Sequence, residues 1–189
     1  MEKTVMEARH LTIAELNAGL AHILESPSDV GVLKMIVRRP AIGERECLEE
    51  AELCLAEGLV GDNWGTRGDQ VTPKRTANPK AQLTLMNARV ADLVACTQAR
   101  WPLAGDQFYV DLNLGLDNLP AGTRLSIGSA IIEVTDEPHT GCKKFVERFG
   151  MNAMEFVNSP EGKQQCLRGI NTRVIKAGTI RVGDPITKA

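Results

Sequence analysis

The sequence predicts a mixed, mainly β domain, a small barrel or sandwich with peripheral α-helices, carried behind an N-terminal helical extension. Three observations predict it. Short β-branched runs bounded by glycine or proline recur from position 31 onward, about seven or eight of them. Two late segments, Ala121-Gly122-Thr123-Arg124-Leu125-Ser126-Ile127-Gly128 and Ala177-Gly178-Thr179-Ile180-Arg181-Val182-Gly183, repeat one pattern of glycine turn, short strand and glycine turn. About three or four other stretches carry apolar residues at helical spacing.

Thr12-Ile13-Ala14-Glu15 fits a capping box, and Ile13, Leu16, Leu20, Ile23 and Leu24 follow at helical spacing. Ser26-Pro27-Ser28-Asp29 closes this helix, so residues 1–29 read as an extension and 30–189 as the barrel domain. The extension is expected to pack on the main domain or on a second copy of the chain. Gly31 to Arg39 reads as the first strand, stopped by Pro40. Arg45 to Glu57 fits either helix or strand; on a helix, Cys47 and Cys54 would share one face and serve packing.

A polar stretch from Gly58 to Lys80 follows, with glycines beside Arg67, Lys74, Arg75 and Lys80. A loop of that length is either functional or disordered, and its cations suit a phosphate, although it is neither a Walker loop nor a dinucleotide fingerprint. Gln82 to Met86 reads as a strand and Asn87 to Ala95 as a helix with Val90, Leu93 and Val94 inward, followed by a packing Cys96. Phe108 to Leu114 alternates like a half-buried strand with Asp111 and Asn113 on one face, toward a ligand or toward water. Ala130 to Thr135 is a further strand. Phe145, Phe149, Ala153 and Phe156 then place one helix over about 142–158. Strands near 172–176 and 185–188 complete a largely antiparallel sheet.

The junction Asp136-Glu137-Pro138-His139-Thr140-Gly141-Cys142-Lys143-Lys144-Phe145 carries the most chemistry. Cys142 is expected in the first turn of a helix, where unpaired N–H groups and the macrodipole favour thiolate over thiol. His139, Lys143 and Lys144 add positive charge to a place where cations are locally unfavourable, which suggests that an anion is held there. His10 and His22 lie in the extension, so His139 is the one convenient base for Cys142. A free cysteine is also a common small core residue, and packing stays open for Cys142 on residues alone.

Composition removes several classes. At 189 residues and 20.5 kDa the chain has the size of one domain with an extension. A net charge of −2, a pI near 6.0 and 4% aromatics argue against nucleic acid and against an anionic membrane surface. No apolar leader and no membrane-spanning run is seen, and five cysteines are an odd number, so reduced thiols in the cytoplasm are expected. No Cys-x-x-Cys pair supports zinc, and no Gly-x-Ser-x-Gly supports a serine hydrolase.

Five segments, in order, resemble the MOSC family, the domain found at the C-terminus of molybdenum cofactor sulfurases and as stand-alone bacterial proteins. They are Gly58-Leu59-Val60-Gly61-Asp62, Gly105-Asp106-Gln107-Phe108 through Gly115-Leu116-Asp117, Ile127-Gly128 leading into Ile132-Glu133-Val134-Thr135, the Pro138 to Cys142 turn, and Arg168-Gly169-Ile170 through Val182-Gly183-Asp184. The similarity spans 31 to 189. The family's usual Pro-Arg-x-Pro-Cys turn is here Pro138-His139-Thr140-Gly141-Cys142, Trp64 stands at the histidine of its Gly-Asp-x-His, and its Glu-Asn-Leu strand signal is replaced around Val110-Asp111-Leu112-Asn113.

The resemblance implies a β-barrel with peripheral helices and a cysteine, Cys142 here, that carries sulfur or ligates the molybdenum of a pterin cofactor, molybdopterin. A thiolate suits both roles, as a soft ligand and as an acceptor of sulfane sulfur. For the pterin's phosphate the available partners are Arg67, Lys74, Arg75, Lys143 and Arg168, with Asp111 and Asn113 as further polar contacts. The expected partners are a small-molecule sulfur donor, a cysteine desulfurase or a molybdoenzyme, and through the sulfurases the family carries an association with pyridoxal phosphate. Two other functions compete: a metal-free thiol transferase in which His139 or Lys143 activates Cys142, and a non-catalytic interaction module.

Overall fold

The computed structural model describes residues 9–67 and 77–189. β1 (Val30–Arg38) organises the sheet. It pairs at its start with β11 (Pro185–Lys188), along its middle with β6 (Phe108–Asp111) and at its end with β2 (Glu46–Leu48). Because β1 meets both β6 and β11, the order β11, β7 (Arg124–Ile127), β8 (Ala130–Val134), β9 (Ile170–Lys176), β5 (Leu83–Asn87), β6, β1 closes into a seven-stranded barrel, with β2 appended. Closure removes the exposed strand edges that an open sheet would present.

All neighbours are antiparallel except β5 and β6. That parallel pair needs a crossover, supplied by α3 (Ala88–Ala95) and a 3-10 helix over Gln98–Ala104. A small second sheet runs β10 (Gly178–Arg181), β3 (Glu50–Cys54), β4 (Gly58–Leu59).

Strand side chains alternate between two apolar compartments. Leu33, Ile36, Leu85, Phe108 and Val110 fill the barrel. Val37, Met86 and Tyr109, their neighbours in sequence, point outward and are covered by a helical layer that includes Leu16, Val90, Phe145 and Phe156. Both faces of these strands are buried, so their sequence runs apolar without the alternation of a half-buried strand. That corrects the expectation for Phe108 to Leu114: the strand ends at Asp111, and Asn113 lies in the following turn.

The helical layer comprises α1 (Ile13–Leu24), α3, α4 (Lys143–Phe149) and α5 (Met151–Asn158), with α6 (Pro160–Gln164) at its edge. The capping box of α1 forms as expected, with Thr12 and Glu15 exchanging hydrogen bonds. Leu16 and Ile23 then pack onto α3 and α5, so the extension is an integral part of this layer. The single helix expected over 142–158 is two. Gly150 adopts φ +88, which ends α4 because a right-handed helix cannot pass through it.

The stretch Arg45 to Glu57 forms β2 and β3 rather than a helix. Cys47 is exposed and Cys54 half-buried, so the shared face expected for them does not exist. Cys96, expected to pack, is exposed at the left-handed C-cap of α3. Between 58 and 80 the described residues contain β4, a short α2 (Trp64–Arg67) and a 3-10 turn (Pro79–Ala81). Lys74 and Arg75 lie outside the described residues, and the side chain of Arg67 is not described.

Candidate functional site

The segment between β8 and α4 is tied down along its length. The Thr135 hydroxyl donates to the Lys80 carbonyl, and Lys80 Nζ meets Asp136 at 2.8 Å. The Asn171 amide donates to the Glu137 carbonyl at 3.1 Å. Asn158, at the end of α5, closes a two-way bond with the Gly141 backbone, accepting at 2.9 Å and donating at 3.3 Å. Gly141 is packed so closely that a Cβ there would lie 3.2 Å from Asn158 and Met154 and 3.3 Å from Val157. The turn therefore holds one shape.

Cys142 follows immediately. It is the N-cap of α4, one position earlier than the first-turn placement expected, and its side chain is exposed and makes no capping bond. Its carbonyl accepts from the N–H groups of Phe145 and Val146, which fixes the sulfur at the positive end of the helix. Lys143 and Lys144 are exposed beside it.

His139 behaves differently from the expected base. Its side chain is 14% exposed, and Nδ1 faces Asp106 Oδ1 at 3.6 Å. Burial, reinforced by the Arg168 guanidinium and only partly opposed by Asp106, pushes the imidazole down from 6.5 to about 3. It is neutral at ordinary pH and adds no positive charge to the thiol, contrary to the sequence expectation.

Below His139 lies a buried ion pair. Arg168, 7% exposed, donates to Asp106 at 2.7 Å and to the Ala104 carbonyl at 2.9 Å, and its guanidinium sits 5.1 Å over the Phe145 ring. Arg168 is thus engaged and is not a free phosphate ligand. Gly169 makes this approach feasible. At φ +115, a Cβ would fall 2.2 Å from the Leu85 carbonyl and 3.2 Å from His139 Nδ1.

A second buried pair adjoins the first. Arg39 and Asp62, 4% and 0% exposed, bind through two guanidinium contacts of 2.9 and 2.8 Å, and Asp62 also accepts from the Arg39 and Trp64 N–H groups. Arg39 also donates to the Gly105 carbonyl at 2.9 Å, beside Asp106. The Gly61-Asp62 segment is therefore an anchor.

Asp106, Arg39 and Asp62 were not among the site residues expected from the sequence, although Asp62 and Asp106 lie in segments that carry the family resemblance. The available signal was the dipeptide Gly-Asp, which occurs at 61–62, 68–69, 105–106 and 183–184; 68–69 lies outside the described residues, and the other three glycines have positive φ. Asp62 and Asp106 bind arginines distant in sequence, whereas Asp184 closes its own turn by accepting from the Arg181 N–H at 2.7 Å.

The remaining predicted contacts are scattered. Asp111 is paired with Arg89 at 2.9 Å in a cleft also lined by Lys34, Asp92 and Trp101, none of which belongs to the cysteine turn. Asn113 accepts from the Gly115 N–H at 2.9 Å and shapes its own loop.

The other cysteines differ from Cys142. Burial pushes the Cys166 thiol up to about 11, and burial with Glu49 raises Cys47. The Cys54 sulfur accepts from the Glu57 N–H, and Cys96 donates to the Arg9 and Leu93 carbonyls.

Among the described residues no three His, Cys, Asp or Glu side chains are grouped to hold a metal ion. A metal at Cys142 would bring its other ligands with it, as a metal within an organic cofactor does, and an exposed soft sulfur fits that arrangement.

The MOSC domain family model matches residues 73–187, more than half of the chain. The chain belongs to the MOSC domain family. This family is associated with molybdenum cofactor sulfurase-like proteins. The MOSC chain resembles in fold the crystal structure of the YuaD protein from Bacillus subtilis, with a TM-score of 0.64 at 14% identity over 83% of this chain and 94% of that one. It also resembles YiiM from Escherichia coli, with a TM-score of 0.53 at 17% identity over 84% and 69% of the two chains. Comparison with curated proteins gives no match. Among the described residues, no helix is long and apolar enough to cross a membrane.

Proposed function

We propose that this MOSC protein handles sulfur or a molybdenum-pterin cofactor through Cys142, as acceptor of sulfane sulfur or as the single protein ligand to the metal. One observation carries the reading: Cys142 is an exposed cysteine at a helix N-cap, without a hydrogen-bond partner for its sulfur among the described residues, on a turn clamped by Asn158 and Asn171. Such a sulfur is reachable and oriented at the N-terminal end of a helix.

In the carrier role the Cys142 thiolate attacks the terminal sulfur of a donor persulfide. A new S–S bond forms at Cys142, the donor's S–S bond breaks, and the donor leaves as a thiolate, so no external oxidant is needed. The donor is a small persulfide or a cysteine desulfurase, and a molybdoenzyme is the downstream acceptor. A bound cofactor would supply a molybdenum centre with an open position for sulfur. The chain's own part is to hold the sulfur rigidly: His139, neutral and wedged over Asp106 and Arg168, positions the turn instead of accepting a proton.

The test is metal and pterin analysis, with mass spectrometry for an added sulfur atom, on protein from a cofactor-making host. Molybdenum with pterin, or a persulfide on Cys142, is expected in the natural protein and absent from Cys142→Ala. Equal loading of both, or repeated preparations carrying neither, would overturn the reading. In parallel, Cys142 should be the first thiol to alkylate near neutral pH and Cys166 the last, since burial holds the latter's pKa near 11.

A further inference from the structure

Gly105 lies at the end of the 3-10 helix with φ +92, its N–H bound to the Pro102 carbonyl and its own carbonyl to Arg39. The space above it is open, and its ceiling is cationic. A Cβ placed on Gly105 would meet nothing closer than 3.9 Å, and the two atoms at that distance are Arg148 Nη1 and Arg45 Nη2.

These two guanidinium groups come from separate elements. Arg45 stands in the loop between β1 and β2, tied by Nε to the Pro102 carbonyl at 3.2 Å. Arg148 is in the last turn of α4, bound to the Leu103 carbonyl, and its own carbonyl accepts from Arg100 at 2.6 Å. Carbonyls alone hold both in place. Among the described residues neither forms an ion pair, although Glu44 and Glu147 are their immediate neighbours in sequence.

Nearby negative charge is already committed. Asp62 is bound by Arg39 and Asp106 by Arg168. Tyr109 is held un-ionised, its pKa raised by burial and Asp106, and its hydroxyl donates to the Trp101 carbonyl. Two half-buried like charges thus converge with no counter-charge, and burial together with Arg148 lowers the Arg45 pKa below its usual value.

We propose that Arg45 and Arg148 form an oxyanion site over Gly105 that takes a phosphoryl group. The ligand chemistry follows from the donors. Each guanidinium presents a planar fork, and two forks from different directions match a tetrahedral oxyanion better than a planar carboxylate, which one fork alone would satisfy. Gly105 supplies the room, since any side chain would occupy the niche. Free phosphate and the phosphomonoester of a larger molecule share this chemistry. The site uses no atom of Cys142, so the thiol reading and this one stand or fall separately.

The experiment is titration of the full chain with inorganic phosphate, and separately with phenyl phosphate, at an ionic strength held constant with chloride. Phosphorus NMR and thermal melting provide the readouts. Saturable binding is expected, weakened about tenfold or more in each of Arg45→Gln and Arg148→Gln, and unchanged in Lys176→Gln at the exposed end of β9. Arg148→Lys keeps the charge without the fork and should fall between, which distinguishes binding geometry from a folding defect. Tighter binding of phenyl phosphate would identify an ester as the natural ligand, and tighter binding of inorganic phosphate the free anion. Overturning results are a response that chloride reproduces, an affinity that neither arginine substitution alters, or an equal loss in Lys176→Gln.

Discussion

Gly105 and Asp106 are consecutive residues, yet they stand between two charge clusters of opposite character. On one side Arg168 with Asp106, and Arg39 with Asp62, match two guanidinium groups to two carboxylates, with a neutral His139 above them. On the other side Arg45 and Arg148 meet over Gly105 with only carbonyls for partners. The difference follows solvent. Where water is gone, a charge persists only when paired, whereas a half-exposed guanidinium can be completed by water or by an arriving anion. The first cluster is closed and architectural, and the second is open and receptive.

The closed cluster should tolerate no change of charge. Asp106→Asn leaves Arg168 buried beside an amide, and the expected loss of stability is about 3–5 kcal/mol. Urea unfolding measures it. Replacing both partners, Asp106→Leu with Arg168→Met, should recover most of that loss, because two apolar groups of similar volume leave no orphaned charge. A single-mutant cost below about 1 kcal/mol would mean that water reaches the pair and that it resembles the open cluster after all.

The imidazole above the pair gives a smaller, pH-dependent effect. His139 is lowered to about 3 in the folded protein against 6.5 when exposed. Between those values the unfolded chain takes up a proton that the folded protein refuses. Its contribution to stability is complete above pH 6.5 and is lost as pH falls toward 3, by at most about 1.4 kcal/mol per pH unit. His139→Gln should flatten the acid limb of the stability curve by that slope. Parallel curves for the two proteins across this range would show that the ring is hydrated and titrates normally.

These clusters also mark where sequence reasoning worked. The barrel was legible because strand-forming runs and glycine turns are local signals, and α1 because its capping box spans four residues. The placement of Cys142 at a helix start was legible because a strand, a turn and a helix meet there. The neutral state of His139 was not legible, since its low pKa comes from burial and from Arg168, 29 positions away in sequence. The Arg45 and Arg148 niche was invisible for the same reason, compounded by treating Arg45 as part of an ambiguous helix. A long-range charge pair leaves no periodicity in the chain. The unbroken helix over 142–158 failed at Gly150, where an otherwise unbroken apolar stripe concealed one residue with positive φ.

The smallest effect belongs to the open cluster and has the opposite sense. Arg45→Gln removes one of two like charges while keeping an N–H that can still reach the Pro102 carbonyl. In low-salt buffer without phosphate its stability should match the natural protein or exceed it by up to about 0.5 kcal/mol. Added sodium chloride should erase the difference, because the relieved repulsion is exposed enough to be screened within a Debye length of about 10 Å at 0.1 M. Added phosphate should reverse it, since only the natural protein gains from ligand that binds the folded state. A loss above about 1.5 kcal/mol that ignores salt would instead place Arg45 among the structural arginines, and the distinction between the two sides of Gly105 would vanish.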